Sequence, residues 1–218
     1  SLFFVGCVVY SQKSFDLMRE GTSVLISCED AISKFDEAIS INDFSIPTER
    51  NEVDYLARTY FERGRCKKSL KKYYEAMKDF TKAIDISLKS KASRQNDIVR
   101  DYYMERGHLK MILKDYNGAI LDYKNGEYFY NKYYLGKAYF GLKKYKEARV
   151  YFQGAISWHT SPTMSTRERE QYAPSYYYYY LGICELNLNL MTDACNNLRL
   201  AGDLGDEDAM ELIVKYCN

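Results

Sequence analysis

A recurring spacing of small and large residues constrains the fold of this chain more than any other feature. A glycine is followed twelve residues later by alanine, sixteen later by a large side chain and nineteen later by another small residue. Four copies of this pattern begin at Gly64, Gly107, Gly136 and Gly182. Small residues at a helix crossing let two backbones approach closely, and the large side chain fills the gap beside them. The repetition therefore predicts a series of antiparallel helix pairs.

Polar turns separate the two halves of each copy. Helix-forming lysine, glutamate, leucine and alanine dominate both halves, and dipeptides such as Lys114-Asp115 and Lys143-Lys144 lie between them. A degenerate fifth copy near the N-terminus contains Ala31 and Phe35, with Arg19 at the position of the glycine. We therefore expect an all-α chain.

The spacing resembles the tetratricopeptide repeat (TPR) family, whose helix pairs of usually about 34 residues stack into a right-handed α-solenoid. The resemblance covers residues 12–202 and places the copies at about 12–41, 50–89, 94–126, 127–158 and 167–202. The key alanines lie 45, 43, 29 and 46 residues apart. We therefore expect longer helices or loops around 41–53, 87–98 and 157–173, and a tight turn near Asn125-Gly126.

The segment 203–218 follows the last copy. Its apolar residues recur at helical spacing, and Asp206 or Asp208 near its start suits the positive end of a helix dipole. A solenoid exposes its end, so a terminal helix with one polar face is expected there. We predict a C-terminal capping helix.

Five consecutive tyrosines occur within the run Ser175–Cys184, so their rings point to every side of one helix. Tyr178 is expected to pack inward with Leu181. A second face, which the TPR resemblance places on the concave surface, contains Tyr176, Tyr179 and Ile183. A third face, expected to contact the preceding copy, contains Tyr177, Tyr180 and Cys184.

Carrying the concave face across the copies gives the predicted partner-binding residues. They are Arg58, Phe61, Arg65, Asp101, Met104, His108, Tyr130, Tyr133, Lys137, Tyr176, Tyr179 and Ile183. This set is aromatic with scattered charge, a composition common in binding hot spots. The arrangement of Lys, Asn and Arg by which some TPR domains hold a C-terminal carboxylate is not matched.

We interpret the chain as a protein–protein interaction module that binds a peptide or a partner protein on a Tyr-rich concave surface. The alternative is a structural scaffold of a larger assembly or homo-oligomer, which uses end faces and insertions. No phosphate-binding, zinc-protease or nucleophile-elbow motif occurs, and His108 and His159 are far apart in sequence. We therefore expect no enzymatic activity, no cofactor and no metal site. The 31 basic and 30 acidic side chains nearly cancel, which disfavours a nucleic-acid partner.

The six cysteines form no CxxC pair and lie at no zinc-ligand spacing. Isolated cysteines in helical sequence are most often small buried hydrophobic residues. In an oxidising compartment, either a Cys184–Cys195 or a Cys195–Cys217 disulfide is compatible with the sequence.

The apolar run from Leu2 to Tyr10 is too short to span a bilayer. It fits the apolar region of a secretion signal, with Ser11 near a plausible cleavage point. Two other interpretations are a cap of the fold and a lipoprotein attachment box ending at Cys7. We expect residues 1–11 to be a signal remnant and the protein to be exported, either periplasmic or secreted. If the run is not a signal, we expect a cytoplasmic protein.

Overall fold

The computed structural model describes residues 16–22, 26–42, 50–89, 97–126, 131–161 and 175–217. Within these residues the protein is entirely helical and contains no β-strand. A short helix, α1, covers residues 16–21. It is followed by α2 (Cys28–Asn42), α3 (Arg50–Ser69), α4 (Tyr73–Lys89), α5 (Asp97–Ile112), α6 (Tyr116–Asn125), α7 (Asn131–Gly141), α8 (Tyr145–His159), α9 (Ser175–Asn187), α10 (Met191–Asp203) and α11 (Glu207–Tyr216). The segment 1–11 and most of the expected insertions lie outside the described residues.

The chain forms two compact units, the first ending at Leu109 and the second beginning at Lys110. In the first unit, α3 packs against both α2 and α4. In the second unit, each helix from α6 to α11 packs against the next along the chain. Most contacts thus join helices that are adjacent in sequence, as in a solenoid of antiparallel helix pairs. The predicted all-α, helix-pair fold class is confirmed.

The glycines of the repeat lie where two helices approach most closely. A Cβ atom added at Gly64 would lie 2.7 Å from the ring of Phe80. At Gly136, the corresponding distance to the ring of Phe152 is also 2.7 Å. Both phenylalanines are fully buried, so neither ring has free space into which it could move. The absence of a side chain at these two glycines is therefore a packing requirement.

In the N-terminal copy, the glycine is Gly21, so the assignment of its position to Arg19 was wrong. A Cβ atom added at Gly21 would lie 2.5 Å from the ring of Phe35. Gly21 precedes Phe35 by fourteen residues, whereas the other copies have sixteen residues between the equivalent positions. Gly21 is the last residue of α1, whereas Gly64 lies five residues before the end of α3, so the spacing shared by the other copies does not reach this glycine.

A second pair of positions connects the two helices of each well-matched copy. One position lies three residues after the glycine, the other three residues after the alanine, and together they form the cross-helix pair. The four pairs are Lys67–Asp79 at 2.9 Å, Lys110–Asp122 at 2.8 Å, Tyr139–Tyr151 with ring centroids 5.1 Å apart, and Glu185–Asn197 at 2.7 Å. Asp122 and Glu185 are each only 1% exposed, so these partners compensate the loss of water.

The turns inside the four copies share one backbone conformation. Seven residues after each glycine, the chain takes a left-handed φ of 57–60°, at Lys71, Lys114, Lys143 and Asn189. The polar turns predicted from sequence therefore lie between helices as expected. A non-glycine residue in this region costs about 1–2 kcal/mol, which the packing of the two helices must offset.

The C-terminal segment forms the predicted capping helix, α11. Asp206 caps it by accepting a hydrogen bond of 3.0 Å from the backbone N–H of Ala209. A disulfide between Cys195 and Cys217 connects α10 to the end of α11 across 22 residues of chain. Closing a loop of this length stabilises the folded chain by about 3 kcal/mol in the chain-entropy estimate. Of the two pairings compatible with the sequence, this is the one formed, and Cys184 is free and buried.

The close approach at Gly136 gives a stability prediction. Gly136→Ala places a methyl group against the buried Phe152 ring, so we expect the free energy of unfolding to fall by about 1–3 kcal/mol. Gly154→Ala on α8 is the matched control, because its nearest neighbour is the flexible Lys132 side chain at 3.0 Å. The control is expected to be neutral or stabilising by up to about 1 kcal/mol, since alanine favours helices. Urea titrations followed by circular dichroism test this, and equal stabilities of the two variants would contradict it.

Candidate functional site

Helices α7 and α9 bring aromatic and basic side chains together within the second unit. On α7, Tyr133 and Lys137 lie four residues apart and therefore share a face. On α9, Tyr177 and Tyr180 lie three residues apart, and both helices pack against α8. We call Tyr133, Lys137, Tyr177 and Tyr180 the tyrosine–lysine cluster.

Ring contacts hold the cluster in place. The ring centroid of Tyr133 lies 5.2 Å from that of Tyr177 and 6.2 Å from that of Tyr180. Tyr180 also stacks on the buried Phe152 ring of α8, with centroids 5.5 Å apart and an angle of 14° between the planes. Each aromatic pair adds about 0.5–1.5 kcal/mol beyond the burial of its area. The rings are thus ordered by the fold before any partner arrives.

The ammonium group of Lys137 lies between two of these rings. Its Nζ atom is 5.5 Å from the ring centroid of Tyr133 and 5.5 Å from that of Tyr180. The side chain is half-buried, and this burial lowers the pKa of Lys137 below its ordinary value. Among the side chains that the structure describes, no carboxylate forms an ion pair with Lys137. Among the described residues, ring faces are therefore what compensates this partly desolvated cation.

The tyrosine hydroxyls around Lys137 stay protonated at neutral pH. Burial raises the pKa of Tyr133, and the neighbouring Tyr180 raises it further. Burial also raises the pKa of Tyr180, with a smaller contribution from the carboxylates of Asp206 and Asp208. These hydroxyls can therefore donate hydrogen bonds. Tyr180 has both the Lys137 ammonium and the carboxylates of Asp206 and Asp208 near it.

The first unit contains a cavity of about 530 Å³ lined by residues of α1, α2, α3 and α5. Two predicted partner-binding residues, Arg58 and Arg65, line it. Glu62 lies 4.0 Å from the Arg58 guanidinium and 3.2 Å from that of Arg65. Lys68 forms an ion pair with Glu105 in the same wall. The basic groups of this cavity thus have carboxylate partners, in contrast to Lys137.

The remaining predicted partner-binding residues lie in several environments. Phe61 and Met104 are buried in the first unit. There the ring centroids of Phe61 and Tyr102 lie 4.5 Å apart. Asp101 and Tyr176 are exposed, and His108, Tyr179 and Ile183 are half-buried. Tyr130 lies outside the described residues. The two buried side chains support the surface from below and are not available for direct contact with a partner.

The five-tyrosine run divides between two packing environments and solvent. Tyr177 and Tyr180 contact α7 and α8, as predicted for the face towards the preceding copy. Tyr178 and Tyr179 pack against the buried residues of α10 and α11, and Tyr176 is 54% exposed. The sequence did not place Tyr180 beside the predicted binding residues of α7. Its ring nevertheless contacts Tyr133 and the Lys137 ammonium, because a tyrosine side chain is long enough to reach across two helix faces.

Two further classes of site are not found in the described part of the chain. No group of histidine, cysteine, aspartate and glutamate side chains converges there as a metal ion would require. None of the described helices combines the length and apolarity needed to cross a membrane.

The family profile of the tetratricopeptide repeat matches residues 57–90 and 131–159. The second match spans α7 and α8, whose Gly136 and Phe152 make the close approach described above. These two segments of the chain are tetratricopeptide repeats. No curated protein matches its sequence.

Solved TPR structures share the fold at low sequence identity. BtubC (BKLC) from P. vanneervenii is 16% identical with a TM-score of 0.68, covering 84% of this chain and 74% of that protein. YrrB, described as a TPR protein with an unusual peptide-binding site, is 16% identical with a TM-score of 0.62, covering 86% and 83%. A kinesin light chain from Podosopora anserina with TPR-like repeats is 11% identical with a TM-score of 0.63, covering 90% and 93%.

These matches support a binding role at the level of the family. The TPR fold is that of a protein–protein interaction module, and TPR domains bind protein or peptide partners. Proteins of TPR repeats are generally non-enzymatic, and no catalytic family is indicated. At these identities, the solved structures indicate the shared fold and do not identify a ligand.

Proposed function

We propose that the second unit binds a partner polypeptide on the tyrosine–lysine cluster and that a carboxylate of the partner pairs with Lys137. The observation that carries this proposal is the half-buried ammonium held between Tyr133 and Tyr180 without an acidic partner among the described residues. A carboxylate brought to this position would form a charge-assisted hydrogen bond and offset the cost of burying the ammonium group.

The surrounding rings suit the rest of a polypeptide ligand. Tyr176 offers exposed ring area at the start of α9, and Tyr179 and Tyr180 offer partly exposed area beside it. Tyrosine combines a large apolar contact area with a polar hydroxyl and loses little conformational entropy on binding, which makes it common in hot spots. The rings pack against each other and α8, so little ordering is needed on binding.

The simplest alternative role for Lys137 is structural: its aliphatic chain could cover apolar surface. Such a lysine extends its charged end into water. Here the Nζ atom itself lies over two ring faces, and burial depresses the pKa of the group. The geometry therefore favours an anion-binding role for Lys137 over simple coverage of the surface.

Selection from a random peptide display library tests the proposal, with the wild-type protein as bait. We expect enriched peptides to require an acidic side chain or a free C-terminal carboxylate. Lys137→Met should weaken their binding about tenfold or more, because a charge-assisted hydrogen bond contributes about 1.5–3 kcal/mol. Lys146→Met, which removes an exposed lysine of α8, is the matched control and should retain full affinity.

A double-mutant cycle distinguishes direct pairing from an indirect effect of the substitution. Replacing the ligand carboxylate by an amide should cost as much as Lys137→Met, and the combined change should add little. Additive losses, or an unchanged dissociation constant for Lys137→Met, would contradict the pairing.

The affinity should also depend on pH. In the free protein, burial lowers the pKa of Lys137, so its ammonium loses its proton at a lower pH than an ordinary lysine. Binding of a carboxylate peptide should weaken as pH rises from about 7 towards about 10, because the neutral amine cannot form the ion pair. Lys137→Arg stays protonated throughout this range and should bind with an affinity that hardly changes. Isothermal titration calorimetry at several pH values measures both, and parallel pH profiles would contradict the role of Lys137.

The alternative function, a scaffold in a homo-oligomer, has a separate observation in its favour. On α11, Met210 and Val214 lie one turn apart and are 51% and 70% exposed. If this face joins a second copy of the chain, Val214→Glu should convert an oligomer to a monomer in light scattering. Val150→Glu on α8, at a residue that is 65% exposed, is the control and should leave the mass unchanged. A wild-type protein that is monomeric at every concentration would remove this alternative.

A further inference from the structure

We propose that Cys28 and Cys66 form a second disulfide bond, which covalently joins α2 to α3 in the wall of the first unit's cavity. This inference is independent of the peptide-binding proposal, because it concerns the other unit and a different chemistry. Both thiols are free in the structure and neither is fully buried.

The packing of α2 against α3 brings the two cysteines together. Cys28 is the first residue of α2 and lies one turn before Ala31, on the same side of the helix. Cys66 of α3 packs against the buried cluster that contains Ala31 and Phe35. Both cysteines also line the same cavity of about 530 Å³. The repeat packing thus places both thiols at one crossing of two helices.

The two thiols also interact electrostatically. Burial raises the pKa of the Cys66 thiol to about 12, and the neighbouring Cys28 adds to this shift. At neutral pH, Cys66 is therefore almost entirely protonated and reacts slowly as a nucleophile. We expect Cys28 to react first and Cys66 to complete the bond.

The open cavity distinguishes this pair from the other free cysteine in the described residues. Cys184 is completely buried among Ala148, Phe152 and Leu181, so a reagent cannot reach it without local unfolding. Cys28 and Cys66 line a cavity large enough to admit a small disulfide reagent. The disulfide between Cys195 and Cys217 indicates a protein that is compatible with an oxidising compartment.

The oxidant in the proposed reaction is a small or protein disulfide, such as oxidised glutathione. The Cys28 thiolate attacks one sulfur of this disulfide, forms a mixed disulfide and releases one thiol of the oxidant. Cys66 then loses its proton to solvent and attacks the Cys28 sulfur, which releases the second thiol. Two S–H bonds are lost, one S–S bond is formed, and the oxidant is reduced to two thiols. Because Cys66 must deprotonate, the second step should accelerate about tenfold per pH unit below its pKa.

Peptide mapping of the oxidised full-length protein tests the proposal directly. The protein is incubated with oxidised glutathione, its remaining thiols are blocked with N-ethylmaleimide, and it is cleaved after glutamate without reduction. Cleavage gives residues 21–29 and 63–75 as two fragments with one cysteine each. We expect mass spectrometry to find them linked and to find them separate after reduction.

The proposal is overturned if both fragments carry N-ethylmaleimide or glutathione while Cys195 and Cys217 are linked in the same sample. Two variants add a kinetic check. Cys66→Ser should accumulate glutathione on Cys28, because no second thiol is present to displace it. Cys184→Ser is the matched control and should form the Cys28–Cys66 link at the wild-type rate. A wild-type link that forms no faster at higher pH would contradict the proposed role of Cys66.

Discussion

The close contact between a glycine and a large buried side chain is the interaction on which four of the helix pairs depend. With no Cβ at Gly64 or Gly136, the phenylalanine of the second helix lies directly against the backbone of the first. The short distance between the two helices brings the side chains of each cross-helix pair into contact. It also fixes how sharply the chain must turn, which explains the left-handed residue seven positions after each glycine. Packing, polar pairing and turn geometry are therefore consequences of one steric condition.

The candidate binding cluster follows from a change of residue type within this shared frame. The residue directly after the repeat glycine is basic in two copies, as Arg65 and Lys137. Arg65 has Glu62 three residues earlier on its own helix, whereas Lys137 has Tyr134 at the same distance. The first cation is thus paired by its own helix, and the second is left between rings. The change from glutamate to tyrosine three residues earlier thus separates Arg65, which has an acidic partner, from Lys137, the proposed anion-binding group.

Much of the fold follows from sequence spacing, because the close approach requires small residues at fixed positions. Fixed offsets fail where the glycine occupies a different position in its helix, which is why Gly21 was missed. Fixed offsets also cannot decide which face of a helix makes a contact when neighbouring faces contain the same residue type, as in the tyrosine run. Tyr179 and Tyr180 differ by only 100° of rotation, and the ring that contacts Lys137 is selected by packing against Phe152, which spacing does not report. The Cys195–Cys217 pairing similarly depends on the packing of α11 against α10, which spacing does not report.

The disulfide that is present and the one proposed both lie towards an end of the described helix array. A terminal element of a repeat array has a neighbour on only one side, so it gains less from nearest-neighbour packing. The α11 helix has α10 as its neighbour in the described residues, and the Cys195–Cys217 bond holds it there. In the N-terminal copy, Gly21 lies outside the spacing that the other copies share. A bond from Cys28 to Cys66 would fasten its second helix to α3 in the same way. Both cross-links would then add covalent stabilisation at the two ends of the described helix array.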